Sequence, residues 1–341
     1  MGDVEKDEEK RNGFIAIAHV IKDYLPSGEM PSSTEIFDIF CKVLVNALVI
    51  TDSCLNRIGL ALYLGLSALD HSCNPDAFII FNGTKAILRS LNKNITEYND
   101  NLRIPYCDLL DLTSTRCETL QKQHNFVCNC EICQDFEIVR SKKSSLRCTK
   151  CKDGFCPYSP EDDHAETRCK ICGEISLFNF DHLQKLYQQL TAHGSSEKSV
   201  SELIDLYGKF EEVFSPYNVF LCKFAENIMI SAMNNGKYDE AVEFVKKTLL
   251  CYRTYYPKGH PSFPVRMFEY AKLLMLQHNR ESLPVLRKAY KMICESYGSD
   301  SGFAFNTARL LKDLEKVFLL LLRFDRLLYD LISSVLLLDC F

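Results

Sequence analysis

Residues 66–83 read LSALDHSCNPDAFIIFNG. An apolar, helix-like approach runs into Asp70-His71-Ser72-Cys73-Asn74-Pro75, and an apolar strand leaves it. Polar side chains at the floor of a core cost free energy unless each finds a partner. The turn is therefore expected to hold something: a ligand, a metal or another loop. The strand continues into DAFIIFNGTKAILRSL, residues 76–91. Asn82-Gly83 inside it is a strong short hairpin signal and predicts two strands around a tight turn.

Upstream, FIAIAHVIKDYL (14–25) predicts an amphipathic helix ended by Pro26. PSSTEIFDIFCKVLVNALVI (31–50) carries Ser/Thr caps at 32–34 and helical apolar spacing through Val45. Downstream, NLRIPYCDLLDL (101–112) reads as a short strand and a polar turn. TSTRCETLQKQHNF (113–126) reads as a helix with a Ser/Thr cap. Residues 128–180 are cysteine-rich and irregular, and from 181 to about 316 the chain turns helical. There, GKYDEAVEFVKKTLLCYRTYYPKGHP and HNRESLPVLRKAYKMICESYGSD align at a 42-residue offset, setting Ala241 on Leu283, Val245 on Arg287 and Tyr255 on Tyr297. This suggests tetratricopeptide-like helical hairpins, with a non-repeating bundle as the alternative.

The chain's 341 residues leave room for two or more domains. Hydrophobic content of 47% and charged content of 25% are those of an ordinary soluble globular protein. A net charge of −5 argues against direct nucleic-acid binding and is compatible with a basic peptide partner. The charged start MGDVEKDEEKRNG has no secretory apolar region, and Lys6 and Asp7 stand where a myristoylation motif needs Ser or Thr. In the apolar stretch 317–341, Arg323, Asp325, Arg326 and Asp330 interrupt any run approaching the roughly 20 clean residues of a bilayer span. A packed terminal helix or an interaction stripe is expected there, not a membrane anchor.

Ten of the 17 cysteines lie between Cys107 and Cys172, many of them in C-x-C and C-x2-C units that favour metal over disulfide. Cys128, Cys130 and Cys133 leave a tetrahedral zinc one ligand short. Cys73 is the candidate fourth ligand; the plainer reading is a small buried thiol. Cys148, Cys151, Cys169 and Cys172 form C-x2-C, 17 intervening residues, then C-x2-C, a zinc-ribbon spacing. Cys156 and His164 lie in the intervening loop and read as a spare thiol and an exposed histidine. Both four-thiolate sites would be closed, and therefore structural.

Taken together, Asp70-His71-Ser72-Cys73-Asn74-Pro75, a strand pair, Tyr106-Cys107-Asp108-Leu109-Leu110, a short helix and Phe126-Val127-Cys128-Asn129-Cys130-Glu131-Ile132-Cys133 resemble the SET and MYND domain (SMYD) protein lysine methyltransferases. The resemblance is specific over roughly 30–135. It is looser over the helical half, including the YYPKGHP joint. It implies an α+β fold: partial SET-type small sheets and a cysteine-rich zinc post-SET segment, followed by an all-α tetratricopeptide-like domain. The implied parts are a charged arm and helix (1–30), SET core (31–112), post-SET zinc segment (113–140), ribbon-like insertion (141–180), helical domain (181–316) and apolar tail (317–341).

The implied activity is methyl transfer from S-adenosylmethionine to a protein lysine, on a histone tail or another basic peptide, in cytoplasm and nucleus. The resemblance gives Tyr106 the catalytic hydroxyl and cofactor contact. It gives Asn46, Ser67, Asp70 and His71 further cofactor contacts, and His124 and Phe126 the walls of the lysine channel. Read without it, Tyr106 is a core tyrosine, His71 caps a turn, and Ser67 and Asn46 are helix-surface polar residues. The chain departs from the family pattern in several places. It shows no amino-terminal Gly-x-Gly strand and no MYND cysteine cluster before Cys41. Asp70 stands where the family has Asn, and His124 stands where it usually has Tyr. Asn99-Asp100-Asn101 replaces a Gly-Glu turn. A truncated or diverged member is therefore expected. The alternative function is a non-catalytic, zinc-stabilised scaffold whose helical half binds a partner peptide.

Overall fold

A computed structural model describes residues 7–26, 28–91, 101–134, 142–151, 154–158, 166–192 and 198–338, with side chains as far as residue 320 except at 166, 180 and 192. Asn99, Asp100 and His164 lie outside these residues.

Helix α1 spans Glu8–Tyr24, six residues earlier than its apolar periodicity suggests. Hydrophobic spacing does not register the first turn, which Asp7 caps through Lys10 N–H and which Glu8 and Glu9 favour by charge. Phe14 seats α1 on α2 (Ser33–Asn46), its ring 5.0 Å from Phe37 and 5.6 Å from Phe40. A Ser32–Glu35 capping box opens α2. The chain then passes directly into an antiparallel pair, β1 (Ala47–Thr51) and β2 (Arg57–Leu62), which periodicity alone does not announce.

The approach to Asp70 is a succession of turns, not a helix: Leu66 and Ser67 N–H both reach Tyr63 O, and Leu69 N–H reaches Leu66 O. Strand β3 (Asp70–His71) follows, then the hairpin β4 (Ala77–Asn82) and β5 (Lys85–Ser90). Asn82 pairs with Lys85, so the loop is Gly83-Thr84, one residue beyond the Asn-Gly reading, with Gly83 at φ 59°. Alternation along β4 sends Phe78 and Ile80 towards Val265, Ile293 and Phe303 of the helical half. Ala77 and Ile79 face the opposite way, into the Leu69–Ile104 cluster. Strand β6 (Arg103–Ile104) lies parallel to β3.

Helix α3 (Thr113–His124) starts at Leu112 with no side-chain cap. The Thr113 hydroxyl expected to cap it accepts instead from Arg116. A single helical turn, α4 (Glu131–Gln134), closes the first cysteine cluster. The pairs β7 (Leu146–Arg147) with β8 (Phe155–Cys156) and β9 (Glu166–Arg168) with β10 (Ile175–Leu177) carry the second.

Seven helices follow among the described residues: α5 (Phe180–Ala192), α6 (Val200–Val213), α7 (Val219–Asn234), α8 (Tyr238–Tyr255), α9 (Ser262–Leu276), α10 (Ser282–Tyr297) and α11 (Gly302–Leu338). Short joints fold α7 to α11 into successive packed hairpins, so the chain is α+β with a helical-hairpin half. The 42-residue offset aligns the ends of α8 and α10 and only part of their buried rows, Phe244 with Leu286 and Cys251 with Ile293. Val245 is core, whereas Arg287 is exposed and pairs with Glu315. The cysteine ribbon shares the helical core through Leu146, Cys156 and Tyr158 against Phe210 and Phe214. The apolar tail continues α11 to Leu338, and no described helix is long and apolar enough to cross a membrane.

Candidate active site and its two thiolate clusters

Two-residue strands place the site. β3 and β6 pair Asp70 with Arg103 and His71 with Ile104, and Ser72 N–H to Ile104 O at 3.1 Å extends the pairing. Just past β6, Tyr106 N–H donates to His71 Nδ1 at 3.0 Å. That bond makes Nδ1 the acceptor, so the ring proton sits on Nε2, which faces Cys73 Sγ at 3.2 Å. Burial, reinforced by Arg116 and His124, lowers the His71 pKa to about 4, so the ring is neutral at pH 7. Tyr106 OH donates to Leu69 O, and burial followed by the nearby Asp70 raises its pKa. Burial likewise lowers that of His124.

These groups surround one cavity of 570 Å³. Asn46, Ser67, Asp70, His71, Tyr106, His124 and Phe126 all line it, although they come from α2, the 63–69 turns, β3, the end of β6 and the end of α3. Neighbouring rings stand 4.7 Å (Tyr106–His124), 5.3 Å (His71–Tyr106) and 6.0 Å (His71–Phe126) apart. Neutral aromatic faces of this kind attract cations. Asn46 Nδ2 donates back to Lys42 O, and Ser67 Oγ to Leu64 O. A second cavity, 590 Å³, lies against the first and shares Val45, Asn46, Ser67, Tyr106 and His124 with it. The rest of its wall is largely aliphatic and aromatic, and no carboxylate lines it.

Behind the polar turn, the sulfurs of Cys73, Cys128, Cys130 and Cys133 lie within 4.8 Å of one another, as do those of Cys148, Cys151, Cys169 and Cys172. Individual pairs stand at 3.5 Å (Cys73–Cys133), 3.6 Å (Cys148–Cys172) and 3.7 Å (Cys151–Cys169). A disulfide requires about 2.05 Å. A zinc tetrahedron with Zn–S bonds of about 2.3 Å has edges of about 3.8 Å, which these pairs approach. Backbone amides favour the thiolate form of Cys130, Cys148 and Cys169. Burial opposes ionisation of Cys130, but the N–H groups of Cys133 and Cys73 bring its pKa down to about 7. In the second cluster Lys150 and Cys151 N–H point at Cys148 Sγ at 3.4 Å, and Ile171 N–H points at Cys169 Sγ at 3.4 Å. Cys156 is buried beside this cluster and is not one of its four sulfurs. His71, Cys73 and Cys107 also converge. The Nε2 proton of His71, aimed at the Cys73 sulfur, fits a hydrogen bond better than a metal bond.

Three contributors escape a sequence reading. Arg116 is buried under the first cluster, with Nε 3.2 Å from Cys73 Sγ and Nη2 3.8 Å from Cys133 Sγ. An arginine inside a short polar helix carries no sequence signal for that task. Gly154 sits where a Cβ would come 2.4 Å from both Cys151 Sγ and Cys169 Sγ. A glycine between two cysteine knuckles is the available hint. Arg103 enters the cavity as the register partner of Asp70. The helical half steadies this region from outside: Asp108 accepts from Tyr256 OH at 2.5 Å, Tyr256 stacks on His260 at 4.9 Å, and Lys223 pairs with Asp111.

No family model matches the chain. Among curated proteins, histone-lysine N-methyltransferase SMYD3 of Mus musculus is 24% identical over 314 residues, 90% of this chain and 67% of that protein. Histone-lysine N-methyltransferase ASHR1 of Arabidopsis thaliana is 26% identical over 321 residues, 88% of this chain and 64% of that protein. N-lysine methyltransferase SMYD2-B of Danio rerio is 22% identical over 317 residues, 91% of this chain and 68% of that protein. The chain thus spans about two thirds of the length of the curated relatives it matches.

Proposed function

The chain belongs to the SMYD family of methyltransferases, and on that premise we propose that it methylates the side-chain amine of a lysine in a protein substrate, with S-adenosylmethionine as donor. The observation that carries this reading is the convergence of Tyr106, His71, His124, Phe126, Asp70, Asn46 and Ser67 on one cavity that abuts an apolar one. Bound in the polar cavity, the cofactor supplies an electrophilic methyl on a cationic sulfur. The rings of Tyr106, His124 and Phe126 favour positive charge there, and neutral His71 and His124 do not oppose it.

The apolar cavity is the lysine side. A lysine amine has a free pKa of about 10.4, and a largely apolar wall that carries Lys10 and no carboxylate disfavours its cation, which frees the lone pair for attack. Tyr106 stands at the border of the two cavities. With its proton held by Leu69 O, the hydroxyl oxygen is left to accept from the amine and to aim it. In this reading Cys73, Cys128, Cys130 and Cys133 hold one structural zinc and Cys148, Cys151, Cys169 and Cys172 a second. The first would pin the polar turn to the Phe126 wall. We assign the protein to cytoplasm and nucleus, with a histone tail or another basic peptide as substrate.

Isothermal titration of the zinc-replete protein with S-adenosylmethionine tests the assignment, and absence of binding heat overturns it. Tyr106→Phe is expected to lower the turnover rate by about 10²-fold or more, while the loss of its hydrogen bond to Leu69 O lowers unfolding free energy by only about 1–3 kcal/mol and leaves the chain folded. Retained turnover would remove Tyr106 from the chemistry. A non-catalytic scaffold is the reading left if no heat is found, and the exposed Phe305, Val317 and Leu319 along α11 give such a scaffold a surface.

A further inference from the structure

We propose that Asp70 and Arg103 form a two-charge seat for the zwitterionic amino-acid end of the cofactor, Asp70 facing its ammonium and Arg103 its carboxylate; the proposal rests on the methyltransferase reading above. Asp70 is the one carboxylate and Arg103 the one guanidinium that line the polar cavity. They are register partners on the parallel strands β3 and β6, so their side chains leave the same face of the pair. Among the described residues neither side chain has an ion-pair partner, and they do not bridge each other. Two opposite charges side by side and unbridged match a ligand that carries both signs on adjacent groups.

The backbone holds this spacing. Asp76 N–H donates to Arg103 O at 2.9 Å, Asp76 Oδ2 accepts from Arg103 N–H at 3.4 Å, and Ser72 N–H closes on Ile104 O. Asp76 thus engages the main chain of Arg103 and leaves the guanidinium to the cavity. Asp70 alone would attract an ammonium and repel a carboxylate. A guanidinium on the next strand supplies the missing complement, in a geometry suited to bidentate capture. With the amino-acid end seated here, the sulfur is carried towards the Tyr106, His124 and Phe126 rings that line the same cavity.

The test is calorimetric, on the zinc-replete full chain, with two probes. S-adenosylmethionine carries both charges, and its decarboxylated analogue keeps the ammonium alone. Arg103→Ala is expected to weaken S-adenosylmethionine on the order of 10- to 100-fold, the loss of one charge-assisted pair, and to leave the decarboxylated analogue unchanged. Asp70→Asn is expected to weaken both. Circular dichroism and the thermal midpoint should match wild type, because both side chains are exposed on the cavity wall. The seat is overturned if Arg103→Ala leaves S-adenosylmethionine affinity intact or weakens both probes equally. If the wild-type protein binds neither probe, the methyltransferase reading itself fails.

Discussion

Arg116→Met is the sharpest test of the first thiolate cluster, since it keeps the aliphatic stem and deletes the guanidinium. Arg116 is 1% exposed. It donates to Cys73 Sγ at 3.2 Å, Asp111 O at 2.6 Å and Thr113 Oγ1 at 3.1 Å. A zinc ion with four thiolates carries a net charge of −2, and the guanidinium offsets half of it. At the observed 3.2 Å, a full sulfur charge and the guanidinium attract by about 5 kcal/mol at an effective dielectric of about 20. Desolvation cancels part of that, and removing one partner of a buried pair costs about 3–5 kcal/mol net. Arg116→Met is therefore expected to lower unfolding free energy by about that amount in urea titrations, and to weaken one of the two zinc ions by about 10- to 100-fold against a competing chromogenic chelator. Arg116→Lys restores the charge but not the fork, so it should fall in between. If both zinc ions titrate as in wild type and the urea midpoint stays put, the charge-balancing role is wrong.

Gly154→Ala places a methyl 2.4 Å from two sulfurs of the second cluster, so its zinc should be lost or greatly weakened while the first is kept. Metal analysis should fall from two zinc ions per chain to one, and a constant count of two would refute the crowding argument. His260 gives a pH prediction. Burial holds its folded pKa at about 4 against an ordinary 6.5, so between those values the unfolded chain binds the extra proton. Its contribution is full above pH 6.5 and is lost as pH falls towards 4, up to about 3 kcal/mol. His260→Gln should flatten that part of the stability profile relative to wild type, and an unchanged slope would count against it.

Much of the chain declares itself locally. The C-x-C-x2-C and paired C-x2-C spacings gather three and four sulfurs within short loops, and the α2 capping box and the β4–β5 hairpin follow from residues at most a few positions apart. The β1–β2 pair was less visible, because β1 is half-buried almost throughout and β2 almost wholly exposed, so neither alternates in burial, and an equally apolar helix end precedes them. The 42-residue offset matched only part of the buried rows of α8 and α10, pairing Phe244 with Leu286 and Cys251 with Ile293 but core Val245 with exposed Arg287.

By itself the sequence marked the candidate residues: thiolates in zinc spacing, a polar turn ahead of a strand, and a tyrosine between two short elements. It also marked the courses of α1, α2 and α3 and the helical character of the chain from 181 onward, because helices follow from a period of 3.6 residues. The tertiary structure alone decided that Asp70 meets Arg103, that His71 accepts from Tyr106 N–H, and that Arg116 turns under the sulfurs of Cys73 and Cys133. Those contacts join residues 33, 35 and 43 or fewer positions apart through two-residue strands and a buried side chain. Contacts of that kind leave no periodic trace, since they form only once distant segments have been packed together.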